Sequence, residues 1–550
     1  MRERRIRILA WSVGLALGGW QAWITRQQLS SDDAIAYLDI GDAYLRGDWS
    51  NAINAYWSPL YSWILGSTLR VVSPSPAWEF PLVKLVNLAL FVFAFVSFEV
   101  FWRRVMAFIE DANDSPLPRW ALMALGYGVF LWTSLTFIGV STDTPDMLVA
   151  AFTYLAAAAV LQLRSRVTIA ASVALGVALA LGYLAKAALF PMAFVFLVVA
   201  AIATRNVRST LVAAATFALI AAPFIVAISI AKGRPTFGDT GRLNYVWSMT
   251  RDVRAFRFWH TTATHGGTPV HPPRVLSNRP EVFEFAQPVG GTYPPWHDPS
   301  YWYEGIESRV RPALLFIVAG GNAWVYATTF AIALAAGWVG LVGFRDVRDA
   351  MRRSPQTWIL TVPAICGLGL YFLGSDLRAV MIPTQPSTRF FAAFVVMLAA
   401  GLVYTVRVRP GQQRVRRAVV AIEIVIVASL AWDVAKHVTM SNDETARLAR
   451  EQPAVADTLR ALGIKPGDRI AISGYYLFPY FHWARLNRVT IAAEIFQADF
   501  FWEQSPERRA EILEALRRSG ARAIIQRPGI VPPVEPAWRG VGHGYYLLWL

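Results

Sequence analysis

The chain has 550 residues, of which 55% are hydrophobic and 16% charged, and its mean hydropathy is +0.38. These values exclude an ordinary soluble globular protein and are typical of a chain that crosses a membrane many times. The formal net charge of +15 could suggest nucleic acid, but the arginines cluster in short loops between apolar runs, which is a signal of membrane topology.

Apolar runs recur along most of the chain, each of about 20 residues and long enough to cross a bilayer core about 30 Å thick. They predict about eleven transmembrane helices. The first run lacks a small-residue cleavage site and leads directly into an acidic segment, so we interpret it as a helix and not as a signal peptide. The runs lie near residues 8–25, 80–102, 119–139, 144–163, 167–185, 187–204, 209–231, 322–344, 356–374, 389–406 and 417–435.

The arginine clusters predict the orientation. The positive-inside rule assigns these loops to the cytoplasm, which places the amino terminus inside and the carboxyl terminus outside. The apolar segment 59–73 is short, and counting it as a crossing would invert every later cluster; we expect a re-entrant or surface-lying helix there. The clusters lie near residues 2–7, 103–104, 164–166, 205–208, 345–353 and 407–417.

Three hydrophilic stretches fall on the predicted outer face: residues 26–77, 232–321 and 441–550. The last contains four strand patterns, DRIAISG, RVTIAA, ARAIIQ and GYYLLWL, and one helix pattern, SPERRAEILEALRRSG, with a Ser cap, a Pro start and a Gly stop. The predicted fold is therefore a mostly α, polytopic membrane domain over residues 1–440, followed by a small extracytoplasmic α/β domain over residues 441–550.

The acidic pair Asp32-Asp33 follows the first membrane-length run. Carboxylates are costly in hydrocarbon, so both should lie where the first helix emerges into water. In the helix that follows, Tyr37 shares a face with Asp33 at i, i+4 spacing and would contact substrate. We expect Asp33, or Asp32, to act as a general base. The alternative is a structural helix cap, because Ser and Asp are favoured at helix starts.

A second acidic segment, STDTPDM, begins at Ser141. A structural interpretation has Thr144 as the cap, Pro145 at the first helical position and Asp146 near the positive end of the helix. The alternative is a direct contact of Asp143 and Asp146 with substrate.

Three basic residues lie near the predicted outer ends of helices: Lys84, Lys186 and Arg389. A positive charge held there could neutralise a lipid phosphate, and the planar donor fork of arginine suits phosphate oxygens. Alternatively, each lysine extends to the interface only to keep its charge in water.

The loop histidines His260, His265, His271 and His297 are irregularly spaced among prolines and match no compact metal-ligand pattern, so we assign no metal site. No cofactor is certain from the sequence, and a requirement for a divalent metal stays open. Tryptophans nearby, Trp296 among them, could form an interfacial belt or stack on a sugar ring.

Five segments together resemble the GT-C superfamily of membrane glycosyltransferases, which use polyprenyl-phosphate-linked sugars, and within it the branch of aminoarabinose transferases and protein O-mannosyltransferases. The resemblance covers roughly residues 5–405. The segments are DDAIAYLDIGDAYLRGDW from Asp32, WSPLY from Trp57, DTPD from Asp143, GVALALGYLAKAALFP from Gly176 and STRFF from Ser387.

The resemblance implies a catalytic base at the acid that opens the first outer loop, four residues before a tyrosine. This selects Asp33 with Tyr37 in preference to Asp32. It also implies a donor-binding role for Lys186, the lysine after the fifth helix, and for Arg389, at the Arg-aromatic start of a late helix.

The chain departs from the aminoarabinose transferases at one point. They carry a Glu-Lys-Pro step where this chain has Tyr-Trp-Ser-Pro at residues 56–59, so a phosphate-binding lysine is absent there. Phosphate recognition would then fall to Lys84, Lys186, Arg389 or loop arginines such as Arg242 and Arg251.

These expectations describe an inverting glycosyltransferase that moves a hexose or pentose from a polyprenyl-phosphate donor to a glycan, lipid or protein acceptor at the outer face of a bacterial plasma membrane. Its partners would be that donor, that acceptor and membrane lipids, with no nucleic acid. The alternative is a transporter or lipid flippase, but transporters usually place ionisable residues near the bilayer midplane and contain repeats, whereas here they gather at one rim. A catalytically inactive scaffold for the terminal domain is a third interpretation.

Overall fold

A computed structural model describes residues 2–112, 116–250, 269–285, 289–305, 312–378, 387–408, 413–474, 480–530 and 535–550. The chain divides into two compact units. The first, here called the helical unit, comprises residues 1–24, 84–237 and 310–439. The second, here called the mixed unit, comprises residues 25–83, 238–309 and 440–550, so the carboxyl-terminal segment groups with both earlier hydrophilic stretches.

Helices make up most of the described part of the helical unit. Its α-helices are Arg2–Ile24, Pro76–Ala112, Arg119–Trp132, Asp146–Ser165, Ile169–Ala185, Leu189–Thr204, Val207–Ala231, Pro312–Tyr326, Ile332–Val342, Val347–Arg353, Trp358–Gly374, Ala392–Tyr404 and Gln413–Ser441. Short π-helical turns cover Thr133–Ile138 and Ala327–Ala331, and 3₁₀ turns cover Phe344–Asp346, Ser354–Thr357 and Ser387–Phe391.

Each of the eleven predicted runs falls on a helix of this unit. Within the described residues, eight helical spans are long and apolar enough to cross a membrane, and two shorter apolar helices, Ile169–Ala185 and Leu189–Thr204, accompany them. The helix Arg2–Ile24 covers the remaining run. The predicted fold class, a mostly α multi-pass membrane protein with a small sheet-containing region, is confirmed.

Many apolar side chains of the membrane-length helices are exposed on the surface of the protein. In the most apolar 18-residue part of the span Val207–Ala231, only 28% is buried inside the protein. In the corresponding part of Gln413–Ser441, only 17% is buried. Leu219 and Trp432, for example, are 78% and 75% exposed. Such surfaces would be unfavourable in water and are expected where a helix faces lipid.

The mixed unit combines short helices with one sheet. Its α-helices are Asp33–Arg46, Trp49–Ala52, Pro59–Val72, Thr240–Thr250, Pro294–His297, Pro299–Trp302, Glu444–Ala461, His482–Asn487, Ala498–Trp502 and Pro506–Arg518. Its strands are β1 (Arg274–Asn278), β2 (Glu281–Glu284), β3 (Arg469–Ser473), β4 (Thr490–Ile495), β5 (Ala523–Gln526), β6 (Arg539–Gly542) and β7 (Tyr545–Trp549).

The seven strands form one sheet in the order β1-β2-β4-β3-β5-β7-β6. The central strands β4, β3 and β5 are parallel, and the hairpins β1-β2 and β6-β7 add antiparallel edges. The four strand patterns of the sequence correspond to β3, β4, β5 and β7. Strands β1 and β2, which come from the second hydrophilic stretch, and β6 were not predicted.

The helix Pro506–Arg518 begins and ends as its pattern predicts. The Ser505 hydroxyl accepts a hydrogen bond from the Arg508 amide, Pro506 occupies the first turn, and Gly520 adopts a left-handed conformation with φ of +84° after the last turn. Ile512 and Leu516, four residues apart, bury their side chains in the sheet core beside Ile524 of β5. One apolar stripe thus fixes this helix on the sheet.

Two helices of the mixed unit, Asp33–Arg46 and Pro59–Val72, approach each other closely at a pair of glycines. A Cβ atom on Gly41 would lie 3.1 Å from the Cα atom of Gly66. Only residues without a side chain permit that separation. The helix Pro59–Val72 covers the short apolar segment, as predicted; its proposed re-entrant or surface location stays a prediction.

Candidate functional site

The helical unit brings three of the predicted residues together around one carboxylate. Asp146 is the first residue of its helix, Lys186 directly follows the helix Ile169–Ala185, and Arg389 lies in the 3₁₀ turn Ser387–Phe391. Lys186 Nζ donates to Asp146 Oδ1 at 2.5 Å, and Arg389 Nε donates to Asp146 Oδ2 at 3.0 Å. We call these three residues the rim cluster.

In the rim cluster, two cations converge on a single carboxylate. Asp146 and Arg389 are 1% and 6% exposed, whereas the Lys186 side chain is 18% exposed. The ring of Phe390 lies close to both cations, with its centroid 4.3 Å from Lys186 Nζ and 4.4 Å from the Arg389 guanidinium carbon. Two cations held this close together are suited to an anion such as a phosphate.

The helix that follows STDTPDM starts differently from the structural interpretation given above. It begins at Asp146, with Pro145 in the cap position and no capping hydrogen bond from a side chain there. The Thr144 hydroxyl donates to Asp146 Oδ2 at 2.7 Å. Thr144 therefore orients the carboxylate of the rim cluster and does not cap the helix.

Lys84 and Asp143, both predicted to contact the substrate, form an ion pair with each other. Lys84 Nζ donates to both carboxylate oxygens of Asp143 at 2.7 Å and to the Ser141 carbonyl oxygen at 2.7 Å. Asn87 Nδ2 adds a hydrogen bond to Asp143 at 2.8 Å. Lys84 is 1% and Asp143 0% exposed. This buried pair is electrically balanced, so it offers no excess charge to a ligand.

The mixed unit contains Asp32, Asp33 and Tyr37. Asp33 is the first residue of the helix Asp33–Arg46, and Asp32 stands in the cap position without a capping hydrogen bond from its side chain. The Ser31 hydroxyl accepts from the Asp33 amide at 3.2 Å. Asp32 is buried and Asp33 only half-buried. The geometry thus gives Asp32 no capping role and leaves Asp33 the more accessible carboxylate.

Aromatic rings surround the predicted base. Trp296 Nε1 donates to Asp33 Oδ1 at 3.3 Å. Tyr37 lies edge-on to Trp57 and Tyr61, with ring centroids 5.0 Å and 5.1 Å apart. The Trp57 indole donates to the Trp296 carbonyl oxygen at 3.2 Å. Asp33 is therefore held beside an aromatic surface of the kind that stacks on sugar rings.

The opposite side of the same helix carries a charged cluster that the sequence did not single out. Arg485, which is 1% exposed, donates to Asp39 at 2.8 Å, lies 2.7 Å from Asp42 and donates to Glu79 at 2.8 Å. Arg488 pairs with Glu79 at 2.7 Å. Burial alone would lower the pKa of Arg485, but Glu79, Asp42 and Asp39 outweigh it and hold that pKa above its ordinary value. We call these five residues the Arg485 cluster.

The histidines have separate partners. His271 pairs with Glu304 at 3.2 Å, and His297 Nε2 lies 3.0 Å from the Asn51 carbonyl oxygen. His260, His265 and Arg251 lie outside the described residues. Over the part of the chain that the structure covers, no group of three or more His, Cys, Asp or Glu side chains is arranged to hold a metal ion.

Comparison with known proteins gives a fold-level result. No protein-family model and no curated protein sequence matches the chain. The structure of ArnT from Cupriavidus metallidurans bound to undecaprenyl phosphate superimposes with a TM-score of 0.53 at 11% identity, covering 98% of this chain and 97% of that one. An Archaeoglobus fulgidus oligosaccharyltransferase in complex with zinc and sulfate reaches a TM-score of 0.48 at 12% identity, over 95% of this chain and 67% of that one. The fold assignment rests on the first comparison, and it confirms the fold expected from the resemblance.

Proposed function

We propose that this protein is an inverting membrane glycosyltransferase that transfers a sugar from a polyprenyl-phosphate donor to an envelope glycan, lipid or protein. The observation that carries the proposal is the rim cluster, where two cations from separate elements converge on the carboxylate of Asp146. The fold supports it, because ArnT, which has the same fold along nearly all of this chain, is bound to undecaprenyl phosphate.

In the proposed reaction, Lys186 and Arg389 hold the donor phosphate. The acceptor hydroxyl or amine loses its proton to the Asp33 carboxylate and attacks the anomeric carbon from the face opposite the phosphate. The bond from that carbon to the phosphate oxygen breaks, and polyprenyl phosphate leaves with the electron pair. Stabilising the charge that develops on this leaving group is the main electrostatic task. Tyr37 and Trp296 would contact the sugar or the acceptor beside Asp33.

Asp33 is the better candidate for the base than Asp32. It is more accessible, and Trp296 hydrogen-bonds to one of its oxygens. Among the three predicted phosphate ligands, Lys186 and Arg389 fit the role better than Lys84, whose charge is balanced by Asp143. We assign Lys84 and Asp143 to the stability of the helical unit and retain Asp146 as the group that orients the two cations.

The proposed location is the outer face of a bacterial plasma membrane, with the amino terminus in the cytoplasm and the carboxyl-terminal α/β region outside. The arginine-rich loops support this orientation through the positive-inside rule. Impermeant thiol labelling of single cysteines at positions 103–104 and 441–444 would test it, and labelling at positions 103–104 from outside would contradict it.

The decisive experiment uses cells that lack the protein and are complemented with variants. Mass spectrometry of envelope glycans and lipids should detect a hexose or pentose modification in the presence of the wild-type chain. Asp33→Asn should abolish it. The matched control is Asp499→Asn, which makes the same change at an exposed position in the first turn of another helix of the same unit. Full modification with Asp33→Asn would show that Asp33 is not the base. A lack of modification with the wild-type chain would contradict the proposed glycosyltransferase activity.

A further inference from the structure

We propose, resting on the function proposed above, that the carboxyl-terminal α/β region positions the catalytic carboxylate, and that Arg485 is the positioning residue. Arg485 contacts neither Asp33 nor the aromatic residues around it in any hydrogen bond or ion pair among the described residues. Its effect on Asp33 passes through the helix Asp33–Arg46, which Arg485 contacts at Asp39 and Asp42.

The geometry of that helix places the acids bound by Arg485 away from Asp33. Successive residues of an α-helix are rotated by about 100° and raised by about 1.5 Å. Asp42, nine positions after Asp33, therefore lies roughly on the opposite side of the helix, about 14 Å along its axis. Asp39 lies about 9 Å along the axis and also away from the Asp33 side. Arg485 binds both acids and so fixes the rotation and the depth of the helix.

The segment from Thr292 to Trp296 contacts both the Asp39 side and the Asp33 side of the helix. Asp39 also accepts hydrogen bonds from the Thr292 amide at 2.6 Å and the Thr292 hydroxyl at 3.0 Å. Four residues later, Trp296 donates to Asp33. The Thr292 carbonyl oxygen in turn accepts from the Ile491 amide of β4 at 2.8 Å. The sheet thus anchors both the back of the helix and the residue that orients Asp33.

Most of the contacts that Arg485 makes are buried. Arg485 is 1% exposed and Asp39 7%, and Glu79, the third acid of the Arg485 cluster, is 2% exposed. Surface ion pairs of this kind would be mobile and screened, but buried ones with several hydrogen bonds hold a single geometry. Without Arg485, the carboxylates of Asp39, Asp42 and Glu79 would keep only Arg488, which pairs with Asp42 and Glu79, and the three acids would repel one another. The expected result is a shift of the helix, and a displacement of about 1 Å at a catalytic group can cost a hundredfold in rate.

The experiment compares Arg485→Gln and Arg485→Lys with the control Arg522→Gln. Arg522 belongs to the same α/β region but pairs with Asp468 on a half-exposed surface. Three measurements are made on each folded variant: envelope modification in cells, binding of undecaprenyl phosphate by the purified protein, and the thermal unfolding midpoint. We expect Arg485→Gln to lose about a hundredfold in modification while undecaprenyl phosphate binding stays within twofold, because the rim cluster is intact. Arg485→Lys should recover part of the loss, and Arg522→Gln should match the wild type.

A labelling arm separates this proposal from the proposed function. The chain has one cysteine, Cys366, so Asp33→Cys in a Cys366→Ala background gives a single thiol at the position of interest. Adding Arg485→Gln should change its maleimide labelling rate several-fold, and adding Arg522→Gln should not. If the wild type transfers no sugar but the rate changes, the positioning role stands and the function fails. If labelling and modification by folded Arg485→Gln both match the wild type, the positioning role is wrong.

Discussion

Lys186 Nζ lies 2.5 Å from Asp146 Oδ1, while the other oxygen of the same carboxylate accepts from Arg389. The ion pair joins the start of one membrane-length helix to the end of another, and Arg389 shares the carboxylate. It is also the most exposed member of the rim cluster. Of the three residues, Lys186 is therefore the one best placed to meet a phosphate.

We predict that Lys186→Gln weakens binding of undecaprenyl phosphate by about 10- to 100-fold, because a hydrogen bond to a charged group contributes about 1.5–3 kcal/mol. Binding to the purified protein in lipid nanodiscs measures it. The control is Lys436→Gln, which removes an exposed lysine of the same unit. Equal affinity in both variants would exclude Lys186 as a phosphate ligand.

The buried pair of Lys84 and Asp143 leads to a different prediction. Lys84→Met leaves Asp143 buried without its cation, and breaking such a pair costs about 3–5 kcal/mol. The double variant Lys84→Met/Asp143→Leu should cost much less, because no uncompensated charge remains. Thermal unfolding midpoints of Lys84→Met, Asp143→Leu and the double variant measure this.

The same variants separate stability from donor binding. If Lys84 only stabilises the helical unit, the double variant should bind undecaprenyl phosphate as the wild type does. A double variant that is stable but has lost binding would restore Lys84 to the phosphate site, as the sequence first suggested.

The sequence predicted the membrane helices and four strands because their signals are local. Apolar runs and alternating patterns can be read within one segment, as in Pro506–Arg518, where the cap, the apolar stripe and the stop are all present. Strands β1 and β2 have five and four residues. They form strands because β2 pairs with β4, about 200 positions further along the chain. No local sequence pattern predicts that pairing.

The candidate site follows the same division. The sequence placed Asp33 and Tyr37 on one face and identified the members of the rim cluster, because each has a distinctive local context. It did not find that Lys84 pairs with Asp143, nor that Arg485 binds acids more than 400 positions away. A buried arginine in a short helix looks like any surface arginine until its partners are known.

Trp296 gives a prediction about the base itself. Its indole N–H is 3.3 Å from Asp33 Oδ1, a long hydrogen bond that would orient the carboxylate and shield it modestly. Trp296→Phe removes the donor and keeps an aromatic ring. We expect envelope modification to fall about tenfold, the lower end of the range for a hydrogen bond to a charged group, with undecaprenyl phosphate binding unchanged.

The matched control is Trp502→Phe. It removes an indole hydrogen bond from the same unit, the one donated to Gln526 of β5 at 2.9 Å. If both variants lose modification equally, the loss reflects general destabilisation and Trp296 has no specific role.

The close approach of the helices Asp33–Arg46 and Pro59–Val72 gives a test that needs no knowledge of the substrate. A Cβ atom at Gly41 would lie 2.6 Å from the Ser62 carbonyl oxygen, which belongs to the backbone and cannot rotate away. Gly41→Ala should therefore force the helices apart and cost about 1–3 kcal/mol. Because the first helix begins at Asp33, we expect modification to fall as well.

Gly241→Ala is the control: it lies in the helix Thr240–Thr250 with open space around it, and alanine is favoured over glycine in helices by about 1 kcal/mol. Thermal unfolding should show a lower midpoint for Gly41→Ala and an unchanged or higher one for Gly241→Ala; equal midpoints would contradict the contact.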